Sequence, residues 1–150
     1  MPQYLIHFDG LCEPVNPNGY ACFGVVAYQD DSEVYTAATL VGVGHGMSNN
    51  VAEYAGLLHA LRYATQHGWR GVAVRGDSKL TVEQVNGRWG VKAAHLRPYV
   101  AACSALLHAL GGSLDWVPRD QNERADALSR QAYDAARAAA QHSPAQPASR

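Results

Sequence analysis

Apolar positions along this chain follow two rhythms. Residues 3–9 are β-favouring and end on Asp9-Gly10, residues 21–28 are an almost unbroken apolar run, and residues 33–41 form a third strand-like stretch. The link 29–32 (Gln-Asp-Asp-Ser) is short and polar, so the second and third strands are read as an antiparallel hairpin. The intervening residues 10–19 carry Pro14, Asn16-Pro17 and Asn18-Gly19 and are read as a loop.

The rhythm then changes. Tyr54, Leu57, Leu58, Leu61 and Thr65 recur at helical spacing, with Ser48, Asn49 or Asn50 as candidate caps and a stop at Gly68. Residues 71–76 form a fourth strand, and Asp77-Ser78 opens a short helix to about Val85. Leu96, Val100, Cys103, Leu106, Leu107 and Leu110 mark another helix, closed by Gly111-Gly112. A fifth strand over 114–117 precedes a last helix over 123–141, with Asn122 as its cap. The order βββαβααβα predicts a mixed α/β sheet. Right-handed crossovers place the fourth strand parallel to the first, with helices on both faces. One domain is expected over 1–141, with a disordered tail over 142–150.

Composition narrows the class. At 150 residues, 47% hydrophobic and 17% charged, the chain suits one globular domain. Its longest apolar run, 20–28, is too short to cross a bilayer, and no basic-then-apolar N-terminal segment signals secretion. Three cysteines without metal or disulfide spacing point to a reducing, cytoplasmic setting. The net charge of −1 hides an asymmetry: residues 1–61 hold six acids and no Lys or Arg, whereas all twelve bases lie in 62–150 with seven acids. Such a division marks a chain that meets a polyanion on one side, or simply a solvated surface.

The chemistry lies in the acids. Asp9 and Asp77 each close a strand, and in a sheet of this kind ligands bind beyond the carboxyl ends of adjacent parallel strands. Glu53 and Asp126 fall in the expected first turns of two helices, where a favourable dipole or a cap is the simpler explanation for any one acid. Four carboxylates converging on one sheet edge must share protons or bind cations. All-oxygen ligation selects Mg²⁺ or Mn²⁺ over zinc, and two such ions suit in-line displacement at a phosphodiester.

On these residues the chain resembles type 1 ribonuclease H over about residues 3–135. The likeness rests on Phe8-Asp9-Gly10, Asn49-Asn50-x-Ala52-Glu53, Gly76-Asp77-Ser78, and Val117-Pro118-Arg119 leading into Asn122-Glu123-Arg124-Ala125-Asp126. The resemblance implies a ribonuclease H-like fold with a five-stranded sheet of order 3-2-1-4-5. It also implies a metal-dependent endoribonuclease that cuts the RNA strand of an RNA/DNA hybrid, leaving a 5′-phosphate and a 3′-hydroxyl. Asp9, Glu53, Asp77 and Asp126 would hold two Mg²⁺ or Mn²⁺ ions. Gly10, Cys12, Asn16, Ser48, Asn49 and Asn50 would meet the substrate near the RNA 2′-hydroxyls, the groups that separate RNA from DNA. Lys79 and Arg88, the bases nearest the proposed site in sequence, and Trp89, against a sugar of the DNA strand, are further candidate contacts. Double-stranded RNA is a second candidate substrate, and a monomer is expected. A non-catalytic nucleic-acid-binding domain, or another nuclease of the superfamily, remains the alternative.

Two departures stand out. Many relatives carry a catalytic His shortly before the last Asp; residues 116–126 contain none, and Arg119 is the candidate substitute. An arginine cannot shuttle protons at neutral pH, so its part would be electrostatic. Many relatives also insert a Lys-rich protrusion after the Trp89 region, whereas here Lys92 leads almost directly into the next helix. Weak duplex binding with a shallow salt dependence is therefore expected. His7 is read as packed or hydrogen-bonded, and His45 as a solvated loop residue.

Overall fold

The computed structural model describes residues 1–142. Strands β1 (Tyr4–Glu13), β2 (Tyr20–Gln29) and β3 (Ser32–Val43) form an antiparallel meander. Helix α1 (Asn49–Gln66), strand β4 (Ala73–Gly76), helix α2 (Lys79–Val85), helix α3 (Arg97–Leu110), strand β5 (Ser113–Trp116) and helix α4 (Glu123–His142) follow. The sheet order is β3-β2-β1-β4-β5, with β4 parallel to both β1 and β5. This is the mixed sheet that the sequence predicts.

Each helix is placed by an apolar face. Ile6, Phe8, Val25 and Val74 of the sheet pack with Leu57 and Leu61 of α1, Val82 of α2 and Leu107 of α3. On the opposite face, Leu11, Cys22 and Val26 meet Ala125, Leu128 and Ala132 of α4. Ser48 Oγ accepts from the Val51 N–H (3.1 Å) and Ser78 Oγ from the Thr81 N–H (3.2 Å), capping α1 and α2. Each such cap contributes about 1 kcal/mol. The β2–β3 turn has both central residues, Asp30 and Asp31, at positive φ (50° and 69°), the geometry that matches hairpin twist.

Several boundaries differ from the sequence reading. Strand β1 does not stop at Asp9. It continues through Gly10–Glu13, residues read as loop, because they pair with Phe23–Tyr20 of β2. What ends near Asp9 is the parallel ladder to β4, whose last pair is Phe8↔Gly76. Asp9 therefore stands at a fork in the sheet rather than at the end of its strand. Strand β4 begins at Ala73, not at Gly71, because Gly71 turns at φ +74° and its N–H bonds the Leu110 carbonyl. A 3-10 turn, Ala94–Leu96, precedes α3. His142, read as the start of the tail, ends α4, and residues 143–150 lie outside the described residues. No helix among the described residues is long and apolar enough to cross a membrane.

Candidate metal centre

The fork at Asp9 is where the acids gather. One carboxylate oxygen from each of Asp9, Glu53 and Asp77 lies within 4.8 Å of the others. They share a cleft of about 280 Å³ with Asp126, Glu13, Asn16, Asn49, Arg119 and Arg130. Asp126 borders the cleft but stands outside the tight trio, and its Oδ2 lies 3.5 Å from Arg130 Nε.

Three glycines allow this approach. A Cβ on Gly10 would overlap the α1 backbone at Glu53 N and come within 2.6 Å of the Ala52 carbonyl carbon. A Cβ on Gly24 would strike the Ala125 carbonyl and come within 2.6 Å of Leu128 Cβ. A Cβ on Gly76 would meet the Phe8 ring at 2.5 Å. Real Cβ atoms do not approach so closely, so each missing side chain lets an acid-bearing element close on β1 or, at Gly24, on β2. Gly10 thus seats α1 and Glu53, Gly24 seats α4 and Asp126, and Gly76 sets β4 against β1 just before Asp77.

Electrostatics follow from the packing. Asp9 is 6% exposed, and burial together with the Asp77 and Asp126 charges pushes its carboxyl up to about 8; the Gly10 N–H donating to Oδ1 (2.9 Å) opposes the shift only in part. Glu53 is 3% exposed, and burial, then Asp9 and Asp77, raise it well above the usual carboxylate range. It lies in the second turn of α1, so the helix-dipole explanation does not apply to it. Its Oε1 is buried with no hydrogen-bond partner. A buried acceptor left unpaired is costly unless a cation satisfies it. Hard oxygen donors, mutual repulsion and one orphaned buried oxygen fit a divalent ion held by Asp9, Glu53 and Asp77, with Asp126 at the margin.

Around this centre the expected contact residues divide. Asn16 and Asn49 line the cleft and are bonded together, the Asn49 N–H donating to Asn16 Oδ1 (3.0 Å). Cys12 lines it too, and its thiol donates to the Val15 carbonyl (3.2 Å). Ser48 and Asn50 instead border an adjoining cleft of about 590 Å³ that also shares Asn16 and is walled by His45 and His95. Arg119 borders the acid cleft on a 3-10 turn, Arg119–Gln121. Arg88, a candidate substrate contact, is ion-paired: its guanidinium donates to both Glu83 oxygens (2.7 and 2.8 Å). Lys79 lies over the Trp116 ring, 5.2 Å from its centroid, and Trp89 is 45% exposed outside the acid cleft.

Four residues of the site escaped the sequence reading. Glu13 reaches the cleft only because β1 continues past Asp9. Arg130 follows Asp126 at the i, i+4 spacing of helical ion pairs, a signal that was legible. The Trp116 indole N–H donates to the Asp77 carbonyl (3.1 Å). Asn122 was read as a cap; its carbonyl does accept the Asp126 N–H (3.1 Å), but its side chain turns inward, because Phe8, Asp77 and His7 all offer it partners. His7 is hydrogen-bonded, as expected, and burial holds its imidazole below the usual pKa.

Known proteins agree with this geometry. The family described as Reverse transcriptase-like matches residues 7–132. A bifunctional protein of Mycobacterium tuberculosis is 41% identical over 122 residues, covering 81% of this chain and 33% of its own length. The solved N-terminal RNase H domain of that organism's protein superposes with a TM-score of 0.82 at 35% identity, covering 93% of this chain and 99% of that one. Ribonuclease HI of Halobacterium salinarum is 35% identical over 129 residues, covering 85% of this chain and 63% of its own. An RNase H1 isolated from compost by a metagenomic approach, solved in complex with an RNA/DNA hybrid, gives a TM-score of 0.80 at 30% identity, covering 89% and 99%. The chain spans about a third of the first curated relatives it matches. With the sheet order, the acid cleft and these likenesses together, the chain belongs to the reverse transcriptase-like family, among its type 1 ribonucleases H.

Proposed function

We propose that this domain is a metal-dependent endoribonuclease that hydrolyses the RNA strand of RNA/DNA hybrids, leaving 5′-phosphate and 3′-hydroxyl ends. The observation that carries the reading is the convergence of Asp9, Glu53 and Asp77 around a buried, unpartnered Glu53 oxygen. A binding module gains nothing from buried like charges facing phosphate. Family membership and the hybrid bound to the compost RNase H1 support the substrate class.

Asp9, Glu53, Asp77 and Asp126 would hold two Mg²⁺ or Mn²⁺ ions. Such ions lower the pKa of bound water and neutralise charge on the leaving oxygen. Asn16 and Asn49, joined by their hydrogen bond, present amide groups beside the acids, suited to the RNA 2′-hydroxyl. The Arg119 side chain makes no hydrogen bond or ion pair among the described residues, so its fork is available to a phosphate oxygen. It stands where many relatives place a histidine, but it holds charge rather than moving a proton. Cys12, Cys22 and Cys103 are free thiols, which supports a reducing, cytoplasmic setting.

The test is cleavage of end-labelled hybrid, double-stranded RNA and single strands, each with Mg²⁺ or Mn²⁺. Native protein is expected to cut the hybrid's RNA strand internally in a metal-dependent way, and Asp9→Asn to leave it intact while remaining folded. Undiminished cleavage by Asp9→Asn would sink the assignment.

A further inference from the structure

Asp77 is the least enclosed of the three close carboxylates, half-buried where Asp9 and Glu53 are buried. Burial alone does not hold its rotamer. Among the described residues, one hydrogen bond reaches its carboxylate: Asn122 Nδ2 donates to Oδ2 at 3.1 Å. Asn122 is 1% exposed, although an asparagine in a helix-start position ordinarily faces solvent or caps the helix.

The Asn122 amide is fully used. Nδ2 also donates to the Phe8 carbonyl (2.9 Å), and Oδ1 lies 2.9 Å from His7 Nδ1. A carbonyl oxygen only accepts, so the amide nitrogen must face Phe8, and the amide has one allowed orientation. Its oxygen then faces His7, which must carry its proton on Nδ1. In this way β1, the end of β4 and the start of α4 are tied through one side chain. The tie sits where the β1–β4 ladder ends, directly before Asp9.

We infer that His7 and Asn122 are positioning residues: Nδ1–H of His7 locks the Asn122 amide, which aims the Asp77 carboxylate into the metal centre. The inference rests on the metal-dependent reading above. Without the His7 donor, Asn122 Oδ1 is a buried acceptor with nothing to accept, and the amide loses the contact that holds it against Asp77. Partners that orient a metal-binding carboxylate typically cost about 10- to 100-fold in metal affinity when removed.

Calorimetric titration of Mn²⁺ alone tests this on four proteins: native, His7→Phe, Asn122→Ala and His7→Asn. Phenylalanine keeps the ring but removes the donor. Asparagine places an amide nitrogen where Nδ1 stood. The expected result is Mn²⁺ affinity weakened about tenfold or more in His7→Phe and Asn122→Ala, and close to native in His7→Asn, a split that does not follow each variant's loss of melting temperature in EDTA. A purely structural role would lower the melting temperature without this split in affinity. Native-like Mn²⁺ binding by His7→Phe overturns the inference alone, whereas no Mn²⁺ binding by the native protein overturns the functional reading as well. If His7→Phe does not fold, the imidazole ¹⁵N spectrum of the native protein decides: Nδ1–H for neutral His7 supports the relay, and Nε2–H overturns it.

Discussion

Asp9 and Gly24 face each other across the β1–β2 ladder, and the space a side chain at Gly24 would fill is taken by the Ala125 carbonyl, one residue before Asp126. The central acid is thus opposite the bare backbone that lets the last acid approach. A methyl group there meets backbone rather than a flexible side-chain end, so α4 must shift. Gly24→Ala is expected to cost about 1–3 kcal/mol in urea unfolding. It should also lower hybrid cleavage more than that loss explains, since Asp126 moves with the helix. Full activity in a destabilised Gly24→Ala would show that Asp126 does not need this seat.

The raised Asp9 carboxyl gives a pH dependence with a definite sign. Between its ordinary value of 3.8 and about 8, Asp9 is protonated in the fold and ionised in the unfolded chain. The folded state then binds more protons, so stability falls as pH rises through this window. Melting in EDTA should therefore show Asp9→Asn gaining on the native protein from about pH 4 to about pH 8, with no further gain from this group above that. Parallel melting curves across the range would refute the raised value. Metal binding needs the ionised form, so Mn²⁺ titrations near neutral pH should also release protons.

Glu53→Gln separates catalysis from stability. The native side chain is buried, crowded by Asp9 and Asp77, and leaves Oε1 unpartnered. A neutral isostere removes the repulsion while keeping the volume. The variant is expected to melt in EDTA at the native temperature or above it, and to lose more than about 100-fold of its metal-dependent cleavage, the loss of a ligand exceeding that of a ligand's partner. A large drop in melting temperature would make Glu53 a structural residue.

Arg119 is tested by charge. A hydrogen bond to a charged group is worth about 1.5–3 kcal/mol, so Arg119→Ala should lower kcat by roughly tenfold or more. Arg119→Lys should recover part of it. If the role is to hold phosphate, the pH–rate profile should keep its shape. A profile that changes shape would mean that Arg119 acts through proton transfer.

Duplex affinity should depend only weakly on salt. With Arg88 held by Glu83 and Arg130 by Asp126, the cations left at or beside the acid cleft among the described residues are Arg119 and Lys79. Two phosphate contacts predict a slope of about −2 in log K against log salt. A much steeper slope for hybrid binding by Asp9→Asn would reveal a further basic surface.

Strand and helix order, the four acids and a mixed sheet with β4 parallel to β1 were legible in the chain, because they rest on local periodicity, turn residues and the handedness of crossovers; the full strand order followed only from the family likeness. The four motifs that carry the family likeness are likewise short runs. What the sequence could not show depends on residues far apart. Strand β1 runs past Asp9 because β2 offers partners as far as Tyr20. Asn122 reads as a cap from its neighbours, yet its amide is spent on His7 and Phe8, 115 and 114 residues away. The identities of the acids are a local matter. Their protonation, their aim and the bare glycines that let them meet are set by packing, since burial and close approach exist only once distant segments share one volume.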